Sequence, residues 1–177
     1  MELLERISAR LDGINSAVGR AAAWLSIPII AIVVLDVVTR RFLTLGSVTL
    51  QELEWHLHAV LFLFCAAYAY IDDTHVRVDI LRARLGRVPR AWIELVGALL
   101  FLTPYSIVMV ILGSQFVIDS YLLDEVSDAP GGLPFRYVIK SALPIGFFLL
   151  MLQGFSTAAK QILILNGHQR VGGTDVR

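Results

Sequence analysis

The amino-acid sequence predicts an all-α integral membrane protein. The predicted fold is a four-helix bundle with an amphipathic interfacial helix at its N-terminus and both termini cytoplasmic. Four long runs of the chain are apolar, and none alternates strictly between apolar and polar residues. This pattern favours membrane-spanning helices over a β-barrel. A third observation, the distribution of basic residues, predicts the orientation of the bundle.

The composition excludes most classes of soluble enzyme. Hydrophobic residues make up 56% of the 177 residues and charged residues only 17%, and the mean hydropathy is +0.71. A bilayer core about 30 Å thick needs roughly 20 apolar helical residues. The predicted spans are residues 21–38, 55–71, 92–118 and 139–160. We expect a single four-span membrane domain over residues 1–165 and a flexible cytoplasmic tail over residues 166–177.

The basic residues are distributed unevenly between the two sides of the predicted bundle. With four spans, the side that holds both termini carries eleven of the 15 Lys and Arg residues. These are Arg6, Arg10, Arg20, Arg77, Arg82, Arg84, Arg87, Arg90, Lys160, Arg170 and Arg177. The other side carries Arg40, Arg41, Arg136 and Lys140. The positive-inside rule therefore predicts that both termini are cytoplasmic. The Arg-rich inner loop and the absence of organelle signals predict a multi-pass protein of the bacterial inner membrane.

The N-terminal residues predict a short helix that lies on the cytoplasmic surface of the membrane. Its apolar residues recur at helical spacing: Leu3, Ile7, Leu11, Ile14 and Val18. The alternative is an ordinary cytoplasmic extension of the first span. Within that span, Pro28 predicts a bend, because proline has no N–H for the helical hydrogen bonds. Asp36 is expected to pair with Arg40 one turn further on.

The second span is predicted to begin with a polar turn. Thr49 and Glu52 have the spacing of a capping box, which predicts a helix start near Thr49. Glu52 shares a helix face with His56, and Glu54 shares one with His58. The third span is the longest, so we expect it to tilt or to project beyond the membrane. Residues 128–134 have the composition of a turn.

The sequence carries no pattern of a catalytic or cofactor-binding site, so we expect neither an enzyme nor a cofactor. The deepest polar residues of the predicted spans are Ser106, Cys65, Gln153 and Thr103. Such isolated groups more often form hydrogen bonds between helices than a transport site. Two axial histidines on facing helices are needed for a b-type haem. The histidines are His56, His58, His75 and His168, which do not occur at matched depths. No nucleic-acid partner is expected.

Six short segments, in this order and spacing, resemble one family of transporter subunits. They are residues 36–42 (DVVTRRF), 51–54 (QELE), 66–68 (AAY), 75–81 (HVRVDIL), 132–134 (GLP) and 144–147 (PIGF). The chain resembles the small membrane subunit, called Q or DctQ-like, of the tripartite ATP-independent periplasmic (TRAP) transporters. The resemblance extends over residues 3–165.

This resemblance implies two protein partners. One is a large membrane subunit that moves substrate by an elevator-type motion, driven by a sodium gradient. The other is a periplasmic substrate-binding protein that docks on the outer face of the membrane subunits. The small subunit would brace the stationary scaffold and supply part of the docking surface. Substrates of the family are mostly organic acids, and membrane lipids are expected as further contacts.

Three groups of residues are hypothetical contact sites on this basis. A polar seam at the outer edge, which either faces the partner or closes the bundle, would consist of Asp36, Arg40, Glu52, Glu54 and His58. The inner loop would contact the partner or lipid phosphates through His75, Arg77 and Asp79. Docking of the periplasmic protein would use Asp119, Asp124, Glu125 and Asp128, although simple solubility of the outer loop explains these residues equally well.

Two other functions are compatible with a small four-span bundle. The first is the membrane-anchor subunit of an oxidoreductase that binds haem or quinone. The second is a free-standing carrier that acts as a homodimer, which the apolar middle of the spans disfavours.

Overall fold

The structure is a computed structural model that describes residues 1–43, 46–71 and 85–167, and no strand occurs in those ranges. Its helices are α1 (Glu2–Ala23), α2 (Ser26–Phe42), α3 (Val48–Ile71), α4 (Arg87–Val96), α5 (Thr103–Leu122), α6 (Arg136–Lys140) and α7 (Ala142–Leu165). Four segments are long and apolar enough to cross a membrane: Glu2–Phe42, Val48–Ile71, Arg87–Leu122 and Arg136–Leu165. The prediction of an all-helical fold with four spans is confirmed.

The first segment is interrupted between α1 and α2. Pro28 cannot donate to the carbonyl of Trp24, which instead accepts from the amide of Ile27 at 3.2 Å. The interruption therefore falls at Trp24 and Leu25, one turn before the proline at which we predicted the bend. The alanines at the end of α1 favour helix, so α1 continues past the predicted start of the span.

The start of α3 corrects one prediction. The side-chain oxygen of Ser47 accepts a hydrogen bond from the amide of Leu50 at 3.3 Å, so Ser47 caps the helix. The capping box predicted from Thr49 and Glu52 is wrong, because both side chains bond to a loop distant in sequence. The Thr49 hydroxyl donates to the carbonyl of Gly131 at 2.6 Å. The predicted helix start is nevertheless within one residue of the observed Val48.

The third segment was predicted to be the longest, but it is second to the first segment, which α1 extends to 41 residues. A π-helical turn at Gly97–Leu102 joins α4 to α5, directly before Pro104. A proline in a helix leaves a carbonyl without its usual donor, which locally widens the helical turn. The segment Arg87–Leu122 has 36 residues. Since roughly 20 residues cross a bilayer, this helix either tilts or extends beyond it.

Helix α7 is the centre of the bundle. It packs against α1, α3, α4, the π-helical turn and α5, whereas α2 packs mainly against α3. Contact between α3 and α7 depends on Gly146, where a Cβ atom would lie 2.8 Å from Cβ of Leu63 and 3.0 Å from its backbone oxygen. Small residues allow such close approach of helices in membrane proteins.

Buried and exposed residues are distributed as in a membrane protein. The largest fully buried side chains belong to Gln153, Asn15, Ser106, Ser120 and Ser156. Large apolar side chains such as Phe62, Phe101 and Leu122 are mostly exposed. In a soluble protein an exposed apolar surface of this extent would be a liability, but it suits contact with lipid tails or with another membrane protein.

Helix α1 has its polar side toward the bundle. Ser8 and Asn15 are buried, while Leu3, Ile7 and Ile14 are exposed. This arrangement is compatible with the predicted interfacial helix, whose placement on the membrane surface stays a prediction. We call the end of the bundle with residues 46–48 and 123–141 the loop end. The end at which α1 and α4 begin and α7 finishes is the termini end.

Candidate functional site: polar clusters at the two ends of the bundle

Glu52 organises the loop end. Its carboxylate accepts hydrogen bonds from the hydroxyl of Ser127 and from the amide of Leu133 at 2.6 Å. The guanidinium of Arg136 lies 3.4 Å from the same carboxylate. One side chain of α3 thus contacts the loop between α5 and α6 at two points and the first residue of α6 at a third. Glu52 therefore has a structural function in this part of the bundle.

The loop between α5 and α6 is also stabilised by contacts of Glu125 with residues of α6. Glu125 forms an ion pair with Lys140, and its backbone oxygen accepts from the amide of Arg136 at 3.2 Å. The hydrogen bond and the positive charge of Lys140 lower the pKa of Glu125 below its ordinary value. The backbone of this loop has positive φ angles at Asp124 (45°), Gly131 (77°) and Phe135 (60°).

The four acidic residues proposed for docking separate into two groups. Asp119, Asp124 and Asp128 are exposed, whereas Glu125 is partly buried in its ion pair with Lys140. The three aspartates therefore present negative charge outward at the loop end. Their function in docking stays a prediction.

The predicted polar seam lies on two sides of α3. Asp36 and Arg40 form the expected ion pair, and both line a groove between α2 and α3 together with Glu54. Glu52 lies away from this groove and bonds to the loop. His58 is exposed. The structure therefore brings three of the five seam residues together.

The inner motif residues His75, Arg77 and Asp79 lie outside the described residues, as does His168. Among the residues that the structure describes, no group of three or more His, Cys, Asp and Glu side chains is placed to hold a metal ion. His56 and His58 lie on the same helix, α3. They do not face each other across the bundle, as the two axial ligands of a b-type haem do.

A second polar cluster joins α1 to α7 near the termini end. The amide of Asn15 donates to Gln153 at 2.8 Å and to the carbonyl of Leu149 at 3.2 Å. The side chain of Gln153 donates to Asp12 at 3.3 Å. Asp12 also accepts from the hydroxyl of Ser156 and forms an ion pair with Lys160.

Only Gln153 of this cluster was predicted to form a hydrogen bond between helices, and that prediction is confirmed. Sequence reasoning missed the residues of α1. The available signal was the spacing of Ser8, Asp12 and Asn15, which places them on one face of a helix. We interpreted the polar face of α1 as solvent-exposed, although a polar face also suits contact with polar residues of a neighbouring membrane helix.

Helix α4 is joined to α7 by a similar contact. The side-chain amide of Gln161 donates to Glu94 at 2.7 Å, and Arg90 lies 3.4 Å from the same carboxylate group. Gln161 is buried. The buried polar side chains of α7 at positions 153, 156 and 161 therefore bond to neighbouring helices.

Residues 29–163 match the family model described as "Tripartite ATP-independent periplasmic transporters, DctQ component". No curated protein and no solved structure matches the chain significantly. The matched residues include α3, α4, α5, α6 and nearly all of α2 and α7. The chain therefore belongs to the DctQ component family of the tripartite ATP-independent periplasmic transporters.

Proposed function

We propose that this chain braces the stationary scaffold of a large, elevator-type membrane subunit during sodium-driven uptake of organic acids. We further propose that it helps to dock the periplasmic substrate-binding protein. Membership of the family makes the chain a small permease component of a TRAP transporter, and thus a multi-pass protein of the bacterial inner membrane. The elevator motion, the sodium gradient and the organic acid come from the resemblance described above.

One observation carries the proposal of an accessory function. The amide and carboxylate side chains inside the bundle bond to one another, as Asn15 does to Gln153 and Gln161 does to Glu94. The hydroxyls of Thr103 and Ser106 are buried without a partner among the described residues, but they carry no charge. A transport site needs polar groups near the middle of the membrane that remain available to substrate and ion. Large apolar side chains instead point outward. This arrangement supports a protein whose outer surface packs against a larger membrane protein.

The proposed orientation follows from charge. The termini end carries the excess of basic residues along the chain, so we place it in the cytoplasm. The loop end, with Asp119, Asp124 and Asp128 exposed, is then periplasmic. We propose that these aspartates attract a basic patch on the substrate-binding protein, which would increase the rate of encounter more than the affinity.

The proposed function is tested by identifying what the chain binds. The tagged chain is extracted from its native host in mild detergent, and the complex is analysed by mass spectrometry and visible absorption. We expect a colourless complex with a much larger polytopic membrane protein. A complex with a haem absorption band and soluble redox subunits would contradict the proposal.

The docking function requires its own measurement. We expect that the combined reversal Asp119→Lys, Asp124→Lys and Asp128→Lys lowers the association rate of the periplasmic protein about tenfold at low salt. The difference in association rate between the unchanged chain and the triple reversal should become smaller as salt screens the charges. The control is Glu2→Lys, an exposed reversal at the termini end. An association rate unaffected by the triple reversal would reject docking through these residues.

A further inference from the structure

The groove between α2 and α3 is an amphipathic cavity at the loop end. Its volume is about 570 Å³, and its lining residues are Val33, Asp36, Val37, Arg40, Arg41, Gln51, Glu54 and Trp55. Cavities of this size accommodate small molecules or the headgroup part of a lipid. The apolar wall consists of valines of α2, while the charged groups lie toward the last turn of α2 and the first turns of α3.

Several polar groups that line this groove have no hydrogen-bond or ion-pair partner in the described part of the protein. Asp36 is 4% exposed, and its Oδ1 atom is buried without a hydrogen-bond partner. Its other oxygen forms the ion pair with Arg40. No hydrogen bond or ion pair joins Glu54 or Arg41 to the described residues. Only the Asp36 atom is fully buried, whereas Glu54 is partly buried and Arg41 is exposed. Glu54 and Arg41 thus present a carboxylate and a guanidinium that are available to a ligand in the groove.

The charges of the groove balance each other. Two carboxylates, of Asp36 and Glu54, and two guanidiniums, of Arg40 and Arg41, line the same cavity. A ligand that matches both pairs has one positive and one negative group. Guanidinium groups suit phosphate, and carboxylates accept hydrogen bonds from a primary ammonium.

We infer that this groove binds the headgroup of an aminophospholipid such as phosphatidylethanolamine. The phosphate would contact the guanidinium of Arg41, and the ammonium would contact the carboxylate of Glu54. The glycerol and the start of an acyl chain would lie along Val33 and Val37. The inference goes beyond the proposed function, because it requires only that the chain lies in a membrane.

The position of the groove favours a lipid over a segment of a protein partner. Trp55 is 76% exposed at its rim, and tryptophan concentrates at the level of the lipid headgroups. The apolar residues of α2 that continue from the groove, such as Ile30 and Val34, are also exposed. A lipid with its headgroup in the groove would therefore have an apolar helix surface beneath it for its tails.

The presence of both carboxylates and guanidiniums in the groove also predicts which class of lipid binds most tightly. Phosphatidylglycerol has no cationic group for the two carboxylates. Phosphatidylcholine has a quaternary ammonium, which cannot donate hydrogen bonds to Glu54 or Asp36. The primary ammonium of phosphatidylethanolamine offers three donors, as a lysine side chain does.

The test is lipid binding by the full chain, measured by native mass spectrometry after removal of bound lipid. The three lipids are added separately as dioleoyl forms. We expect phosphatidylethanolamine to bind about tenfold more tightly than the other two, the size of effect that one charged hydrogen bond produces. Arg41→Gln and Glu54→Gln should each weaken this binding by a similar factor.

The control is Arg20→Gln, an exposed arginine of α1 that does not line the groove. It should bind phosphatidylethanolamine as the unchanged chain does. Equal binding of the three lipids, or equal loss of binding in Arg20→Gln and Arg41→Gln, would overturn the inference. Both informative variants replace side chains without partners in the described structure, so they leave the fold intact.

A second measurement uses the complete complex. A photo-crosslinking amino acid at position 55 should capture phosphatidylethanolamine. Capture of the large membrane subunit alone would overturn the lipid inference and make the groove a protein interface. The proposed function is judged separately, because copurification of the large subunit is recorded from the same preparation before crosslinking.

Discussion

Helices α2 and α7 are both apolar, yet they have opposite positions in the bundle. Helix α7 has eleven buried residues in its 24, whereas Asp36 is the single buried residue among the 17 of α2. The buried positions of α7 are mostly small or polar, including Gly146, Gln153 and Ser156. The comparison teaches that small and polar residues mark the inside of this protein, because lipid solvates large apolar side chains well.

Matched leucine truncations test the comparison most strongly. Leu149 in α7 is 6% exposed and Leu35 in α2 is 50% exposed. We expect Leu149→Ala to lower the free energy of unfolding by about 2–5 kcal/mol, since it leaves a cavity. Leu35→Ala should change it by less than about 0.5 kcal/mol. The measurement is SDS-induced unfolding of the purified chain in mild detergent, followed by circular dichroism. Equal effects of the two truncations would refute the difference between the helices.

The close contact of α7 with α3 gives the next largest effect. Gly146→Ala places a methyl group against Leu63 and its backbone oxygen, so we expect a loss of about 1–3 kcal/mol from overpacking. The control is Gly97→Ala, because nothing lies within 4 Å of a Cβ atom at Gly97. The free energy of unfolding of the two variants is compared by the same SDS-induced unfolding. If Gly146→Ala is as stable as Gly97→Ala, the helices do not depend on this contact.

The polar cluster between α1 and α7 sharpens the comparison further. Gln153→Leu removes the side chain that links Asn15 to Asp12, and we expect a loss of about 1–2 kcal/mol in the same assay. The double variant Asn15→Leu with Gln153→Leu should recover part of this loss, because both partners are then apolar. A double variant with the sum of the two single losses would show that the pair is not coupled.

The smallest effect concerns the pH dependence of the loop end. The pKa of Glu125 is lower than its ordinary value of 4.5, because its carboxylate accepts a hydrogen bond from the charged Lys140. Because the pKa is lowered, the ionised carboxylate stabilises the folded loop at pH values above the ordinary pKa. This stabilisation disappears as the pH falls through the lowered pKa. The protection of the Arg136 amide against hydrogen exchange reports on it, because that amide bonds to the Glu125 carbonyl.

The control for this prediction is Glu125→Gln. Protection should be greater in the unchanged chain at neutral pH and equal in the two proteins at low pH. If the difference persists at low pH, the ion pair of Glu125 with Lys140 is not its source.

Much of the fold was predictable, because apolar length alone identifies spans. The ion pair of Asp36 with Arg40 was predictable because its partners are one helical turn apart. The contacts of Glu52 were not predictable, because its partners Ser127 and Leu133 lie on a distant loop whose path depends on the packed bundle. The three-residue spacing of Thr49 and Glu52, which suggested a capping box, is equally compatible with hydrogen bonds of both side chains with a distant loop.

The inward polar face of α1 escaped sequence reasoning for a related reason. Helix α1 has Asp12 and Asn15 on one side and Leu3 and Ile7 on another. Its apolar side suits lipid, but its polar side can contact either water or polar residues of another helix. The choice between them depends on Gln153 and Lys160 of α7, more than 130 residues away.

Reconstituted transport tests the central claim most directly. Liposomes containing this chain alone, the large membrane subunit alone, or both receive the loaded periplasmic binding protein and an inward sodium gradient. We predict uptake only when both membrane subunits are present, because the amide and carboxylate groups inside this bundle, such as Gln153 with Asp12 and Gln161 with Glu94, already bond to one another. Sodium-driven uptake by this chain alone would contradict the account and support the free-standing carrier.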